Sequence, residues 1–231
     1  MALPSGYKRL KYIEANGNQY INFGVAPNSN FRIVMDVAIQ SAASNRTFFC
    51  SRTVVSGTDT TSNALFLIAS TNTYRRDYYG ETKSTTGIVP IYERFTVDAN
   101  KNVTTFGDDY TLTFSTKTGN SPTNLMLFAS GTGTGDNISS LSNYAHLYCY
   151  GVKVYDGNGA LIRDGVPAQN SEKVNGLYDL VENKFYVSLG TDGFIAPLSV
   201  KTGDILNYDY TGTAVKLTLP KGIYKFECWG A

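Results

Sequence analysis

The stretch Arg32-Ile-Val-Met-Asp-Val-Ala-Ile39 alternates in character, with Ile33, Met35, Val37 and Ile39 at every second position. A period of two puts those four side chains on one face of an extended strand and turns them toward a core. The same alternation, or short apolar runs closed by Gly, Asn, Asp, Ser and Thr, recurs outward in both directions. It predicts strands at residues 19–24, 46–52, 64–70, 74–79, 91–98, 102–106, 111–114, 124–129, 145–155, 159–164 and 184–188. Helical spacing is nearly absent, with a single turn expected near 139–143. Asp156-Gly-Asn-Gly159 and Asp98-Ala-Asn-Lys-Asn102 read as hairpin turns, because Asp, Asn and Gly accept left-handed backbone. Residues 56–63 and 130–143 are rich in Gly, Ser, Thr and Asn and read as surface loops. So many strands at this spacing predict an all-β sandwich or jelly roll rather than a barrel.

Composition agrees and removes several functions. The chain has 231 residues, the size of one large β domain, and 42% of them are hydrophobic, enough to bury a core. Lys and Arg number 20 against 19 Asp and Glu, so charge gives no ground for nucleic acid or an anionic membrane as partner. One histidine, His146, cannot build a multi-histidine metal site. The cysteines, Cys50, Cys149 and Cys228, form no CxxC pair, which excludes a zinc knuckle or thioredoxin motif. They are expected as buried free thiols, with one disulfide among three pairings as the alternative. The opening residues lack the apolar core of a signal peptide, and no run reaches the roughly 18 apolar residues of a membrane helix. Residues 214–219 and 223–229 read as further strands. The second of these stops just short of the last residue, so a domain boundary is expected near 197–204, with a piece of another domain beyond it.

Two strings carry a resemblance to a known family. The first is Leu3-Pro-Ser-Gly-Tyr-Lys-Arg-Leu-Lys-Tyr-Ile-Glu14 with Gly17-Asn-Gln-Tyr-Ile-Asn22 and Gly24. The second is Tyr150-Gly-Val-Lys-Val-Tyr-Asp156, Leu161-Ile-Arg-Asp164, Val166-Pro-Ala168, Gly176-Leu-Tyr-Asp179 and Lys184-Phe-Tyr186. Together they resemble the laminin-G-like jelly rolls of the concanavalin A-like lectin/glucanase superfamily, in the subset found in phage tail and bacterial surface proteins. The likeness runs from Leu3 to Pro197. Residues 201–231 read as a linker and the truncated start of a second domain: 205–231, with Tyr208-Asp-Tyr-Thr-Gly212 and Cys228-Trp-Gly-Ala231, resemble the start of a glycine-rich domain that often follows in such proteins. The resemblance implies two antiparallel sheets packed face to face over residues 1–200. It also implies a place on a virion tail or cell surface, with neighbouring domains of the same protein as partners. It leaves the activity open, because that superfamily hosts lectins, hydrolases and scaffolds alike.

The residues themselves argue against catalysis. A glycosidase needs two carboxylates facing each other across the sugar. The glucanase spacing Glu-x-Asp-x-x-Glu is absent, and the nearest clusters, Asp77 with Glu81 and Asp108 with Asp109, read as solvated turn carboxylates. His146 has no Gly-x-Ser-x-Gly elbow to serve, and alternation places Cys149 on the opposite face of its strand. Gly131-Thr-Gly-Thr-Gly135 is not followed by the Lys-Ser/Thr of a phosphate loop. No cofactor is expected except, as the alternative to plain turns, a calcium ion at Asp136-Asn137 or at Asp156-Gly-Asn-Gly159.

The most suggestive segment for binding is Thr73-Tyr-Arg-Arg-Asp-Tyr-Tyr-Gly80. Its plain reading is sandwich construction, with one tyrosine row in the core. Its functional reading assigns Tyr74, Arg76 and Tyr78 to a glycan, with Tyr92 and Arg94 on a neighbouring strand. Tyrosine rings cover the C–H face of a sugar, and guanidinium groups bond its hydroxyls. The expectation is therefore a non-catalytic, carbohydrate-binding module. Its rival is a structural spacer without a small ligand, and a hydrolase comes third.

Overall fold

The alternating strand at 32–39 lies near the middle of the larger of two antiparallel sheets. The computed structural model describes residues 2–53, 61–87, 90–197 and 223–226. In chain order the strands are β1 (Lys8–Arg9), β2 (Ile13–Ala15), β3 (Ile21–Asn22), β4 (Arg32–Ile39), β5 (Arg46–Ser51) and β6 (Asn63–Ile68). Next come β7 (Thr73–Tyr78), β8 (Glu81–Ser84), β9 (Arg94–Asn100), β10 (Val103–Phe106), β11 (Tyr110–Thr113) and β12 (Met126–Leu127). The last are β13 (Ser130–Thr134), β14 (Asn137–Ser142), β15 (Leu147–Tyr155), β16 (Leu161–Gln169), β17 (Asn175–Asp179) and β18 (Lys184–Tyr186). Among the described residues there is no helix.

The larger sheet runs β11-β10-β9-β4-β15-β16-β17-β18, with β1 pairing β16 and β2 pairing β15. The smaller runs β3-β12-β5-β6-β7-β8. One core fills the space between them. Ile33, Met35, Val37, Val97, Leu147, Cys149 and Val154 enter it from the larger sheet, and Phe49, Leu65, Leu67, Tyr74 and Tyr78 from the smaller. The protein is thus an all-β sandwich. Each such side chain contributes on the order of 1.5–3 kcal/mol when fully enclosed, so this interlayer core outweighs the turns in holding the fold.

The hairpins at 98–102 and 156–159 form as expected, joining β9 to β10 and β15 to β16. Residues 130–143 do not form a loop, and 139–143 do not form a helical turn. They make the two-stranded hairpin β13–β14. It lies against the outside of the smaller sheet: a Cβ at Gly131 would meet Met126, Ile138 and Leu141, and Cys50 Sγ donates to the Gly131 carbonyl. Cys50 and Cys149 are buried free thiols on different sheets. Residues 223–226, expected to begin a strand, belong to none. Their expected partner at 214–219, the boundary near 197–204, most of the 201–231 unit, most of the 56–63 loop and Cys228 lie outside the described residues.

Candidate functional site

In β15 and the residues before it, Ala145, Leu147 and Cys149 are buried, so Tyr144, His146, Tyr148 and Tyr150 fall on the outer face. That strand is flanked by β4 on one side and β2 on the other, with Tyr148 registered to Ala38 and Glu14. Tyr12, just ahead of β2, brings its ring to 4.3 Å from that of Tyr148 and 5.5 Å from that of Tyr150. From β9, the Arg94 guanidinium lies 4.1 Å above the Tyr150 ring. It is held there by Asp36 of β4, whose carboxylate accepts bonds from Arg94 Nε, at 2.8 Å, and Nη2. A bidentate pair of this kind fixes the guanidinium plane as well as its position.

Tyr92 completes the face. It is 71% exposed, its N–H donates to the Ile39 carbonyl at 2.7 Å, and its backbone is left-handed with φ +67°. A bulky residue in that region is strained, and the bond to Ile39 fixes the backbone there. The hydroxyls of Tyr12, Tyr148 and Tyr150 stay protonated at neutral pH. Partial burial pushes Tyr12 up to about 12, aided by the nearby Tyr148, Glu14 and Tyr150, and burial also raises Tyr148 and Tyr150. The face therefore offers aromatic planes, neutral hydroxyls and one clamped guanidinium. Asp36 is bound to Arg94, and Glu14 accepts from Asn16 Nδ2.

The residues assigned from sequence divide sharply. Tyr74, Arg76 and Tyr78 share a face, but it is the inner one, and they are only 1%, 1% and 2% exposed. The Tyr74 ring stacks on Phe106 at 4.2 Å, and the Tyr78 hydroxyl donates to the Ser29 carbonyl at 2.7 Å. Arg76 donates to Thr104 Oγ1 and to the Ala64 and Asp77 carbonyls, beneath the rings of Phe49 and Tyr78. None of the three can stack on a sugar in water, which corrects the assignment of this strand. Nor is β9 its neighbour: β7 belongs to the smaller sheet and β9 to the larger. Tyr92 and Arg94 remain, now beside Tyr12, Tyr148, Tyr150 and Asp36, which the sequence reading missed. The available signal was the every-second-residue row Tyr144, His146, Tyr148, Tyr150.

The calcium candidates are also placed. Asp136 Oδ1 accepts from Asn22 Nδ2 at 2.8 Å and Asn124 Nδ2 at 2.6 Å. Asp156 Oδ1 accepts from the backbone N–H groups of Asn158 and Ala160, which is an Asx turn. Among the described residues, no three His, Cys, Asp or Glu side chains converge in a way that suits a metal ion. No protein-family model matches this chain, and no curated protein matches it in sequence.

Proposed function

We propose that this chain is a non-catalytic recognition module that binds carbohydrate through the outer face of its larger sheet. The observation that carries the reading is the outer-face cluster of half-buried Tyr12, Tyr148 and Tyr150 with exposed Tyr92, around the Arg94–Asp36 clamp. Ring planes cover sugar C–H faces, and the clamped guanidinium and the hydroxyls serve sugar hydroxyls. The finer fold reading is a concanavalin A-like jelly roll. It is supported by the chain's repeated crossing between layers: β4 in the larger sheet, β5–β8 in the smaller, β9–β11 back in the larger. A module borne in several copies on a phage tail or bacterial surface would suit a site of this kind. One stacking contact contributes about 1 kcal/mol, so avidity rather than single-site affinity would hold the target.

The test is a glycan array with the whole chain, followed by calorimetry of the best binder on Tyr150→Ala and Tyr92→Ala. Each variant is expected to weaken binding several-fold while keeping the wild-type circular dichroism spectrum. Full affinity in both folded variants would remove the face from the site. Failure to bind any glycan would leave the spacer reading.

A further inference from the structure

A second feature lies at the end of the larger sheet, around the β10–β11 turn. There a cleft of about 520 Å³ opens between β9, the turn at 107–109 and the start of β11. That volume is ample for a monosaccharide-sized ligand. The turn is built by Gly107 at φ +55°, whose N–H donates to the Thr96 carbonyl, and by Asp109, whose N–H donates to the Phe106 carbonyl.

Two independent observations point to a ligand. The first is charge. Glu93, Arg94, Asp98, Asp108 and Asp109 all line the cleft. Arg94 is bound to Asp36 and Asp98 to Arg32, so these cancel locally. Glu93, Asp108 and Asp109 take part in none of the ion pairs formed among the described residues. Three negative charges therefore surround the cleft without a lysine on its walls. The second is Tyr74, which lines the cleft from the core side. It is 1% exposed, and its hydroxyl has no hydrogen-bond partner. Tyr110 and Asp109, both of the cleft wall, are the charged or polar groups that act on it. A buried hydroxyl left unbonded is costly, and a bound polar group relieves it.

The chemistry of the ligand follows. The carboxylates do not converge as metal ligands do, since no three acidic side chains group together in that way among the described residues. Spread around a roomy cleft, they suit a diffuse organic cation. The Tyr74 hydroxyl adds a bonding group for a ring hydroxyl. We infer that this cleft is a binding site for a 2-amino-2-deoxyhexose carrying a free ammonium group. It shares Arg94 with the tyrosine face but does not depend on that face binding glycan.

The experiment titrates the whole wild-type chain by calorimetry with glucosamine, glucose, N-acetylglucosamine and n-butylamine. Glucosamine is expected to bind at least tenfold more tightly than the other three, and less tightly as salt is raised. The Glu93→Gln/Asp109→Asn double variant is expected to lose at least tenfold in glucosamine affinity. Tyr74→Phe keeps the ring stack on Phe106 and is expected to weaken glucosamine several-fold. Tyr12→Ala, whose ring meets Tyr148 and Tyr150 and no residue of the cleft wall, should bind glucosamine as the wild type does, so loss of glycan binding at the face is told apart from loss here. Equal binding of glucosamine and N-acetylglucosamine, equal binding of glucosamine and butylamine, or no saturable glucosamine binding would each overturn the proposal. So would full affinity in a folded double variant.

Discussion

Arg76 places a charge in the interior. Its guanidinium sits between the sheets with two carbonyls and one hydroxyl for partners and no carboxylate bonded to it. Burial pulls it down to about 10, against the weaker opposing pull of Tyr79, Tyr78 and Asp77. A buried charge of this kind is tolerated rather than stabilising, and a hydrophobe of like length replaces it cheaply. Arg76→Met is therefore expected to change unfolding free energy by less than about 1.5 kcal/mol, whereas Arg76→Ala opens a cavity and loses on the order of 3 kcal/mol. Urea unfolding of both variants checks the contrast, and equal large losses would mean that the hydrogen bonds dominate. His146 gives a pH test. Burial first, then the charge of Arg46, lowers it from 6.5, with Glu14 opposing. The unfolded chain then takes up its proton first, so the contribution is unchanged above pH 6.5 and stability falls as pH drops through 6.5 toward the folded value. His146→Gln should flatten that part of the stability profile, measured as urea midpoints between pH 7.5 and 5.5. An unchanged slope would show that His146 does not set it.

Among the elements, the β13–β14 hairpin depends most on single positions. A Cβ on Gly133 would come within 1.9 Å of the Asn137 carbonyl oxygen, a backbone atom that cannot swing aside. Gly133→Ala is expected to lift the hairpin while leaving the sheets in place. Hydrogen exchange across 130–142 should quicken, and Cys50, which the hairpin covers, should become open to thiol labelling. Wild-type protection of both would show that the hairpin absorbs the methyl group. This hairpin also marks where sequence reading stops. Its Gly, Ser, Thr and Asn residues leave only Ile138 and Leu141 as large apolar signals, too few to show a period. By contrast, Arg32–Ile39 was legible to the residue, because four large apolar side chains alternate without a break. For β7 the period correctly grouped Tyr74, Arg76 and Tyr78, but a period does not say which face looks inward. An arginine on the core side inverts the ordinary expectation. The tyrosine face was hidden for another reason: Tyr12, Tyr92, Tyr150 and Asp36 come from four separate stretches, and only sheet order brings them together.

For the molecule as a whole, every described strand ends by Tyr186, and Phe194 still packs into the core. A chain of residues 1–197 is therefore expected to fold alone, with a single cooperative urea transition and the circular dichroism of the full chain. A loss of structure on that truncation would make the later residues part of the sandwich. The pairing of β4 with β15 has a further consequence, which concerns the order of synthesis. Ile39 leaves the ribosome long before Leu147, its registered partner, and Ile13 waits equally for Cys149. Until β15 is made, the growing chain carries two unpaired strand edges at what will become the centre of the sheet. Synthesis of β15 thus decides when β2 and β4 can pair, and a nascent chain stalled before residue 147 would present its stickiest surface to its neighbours on the polysome.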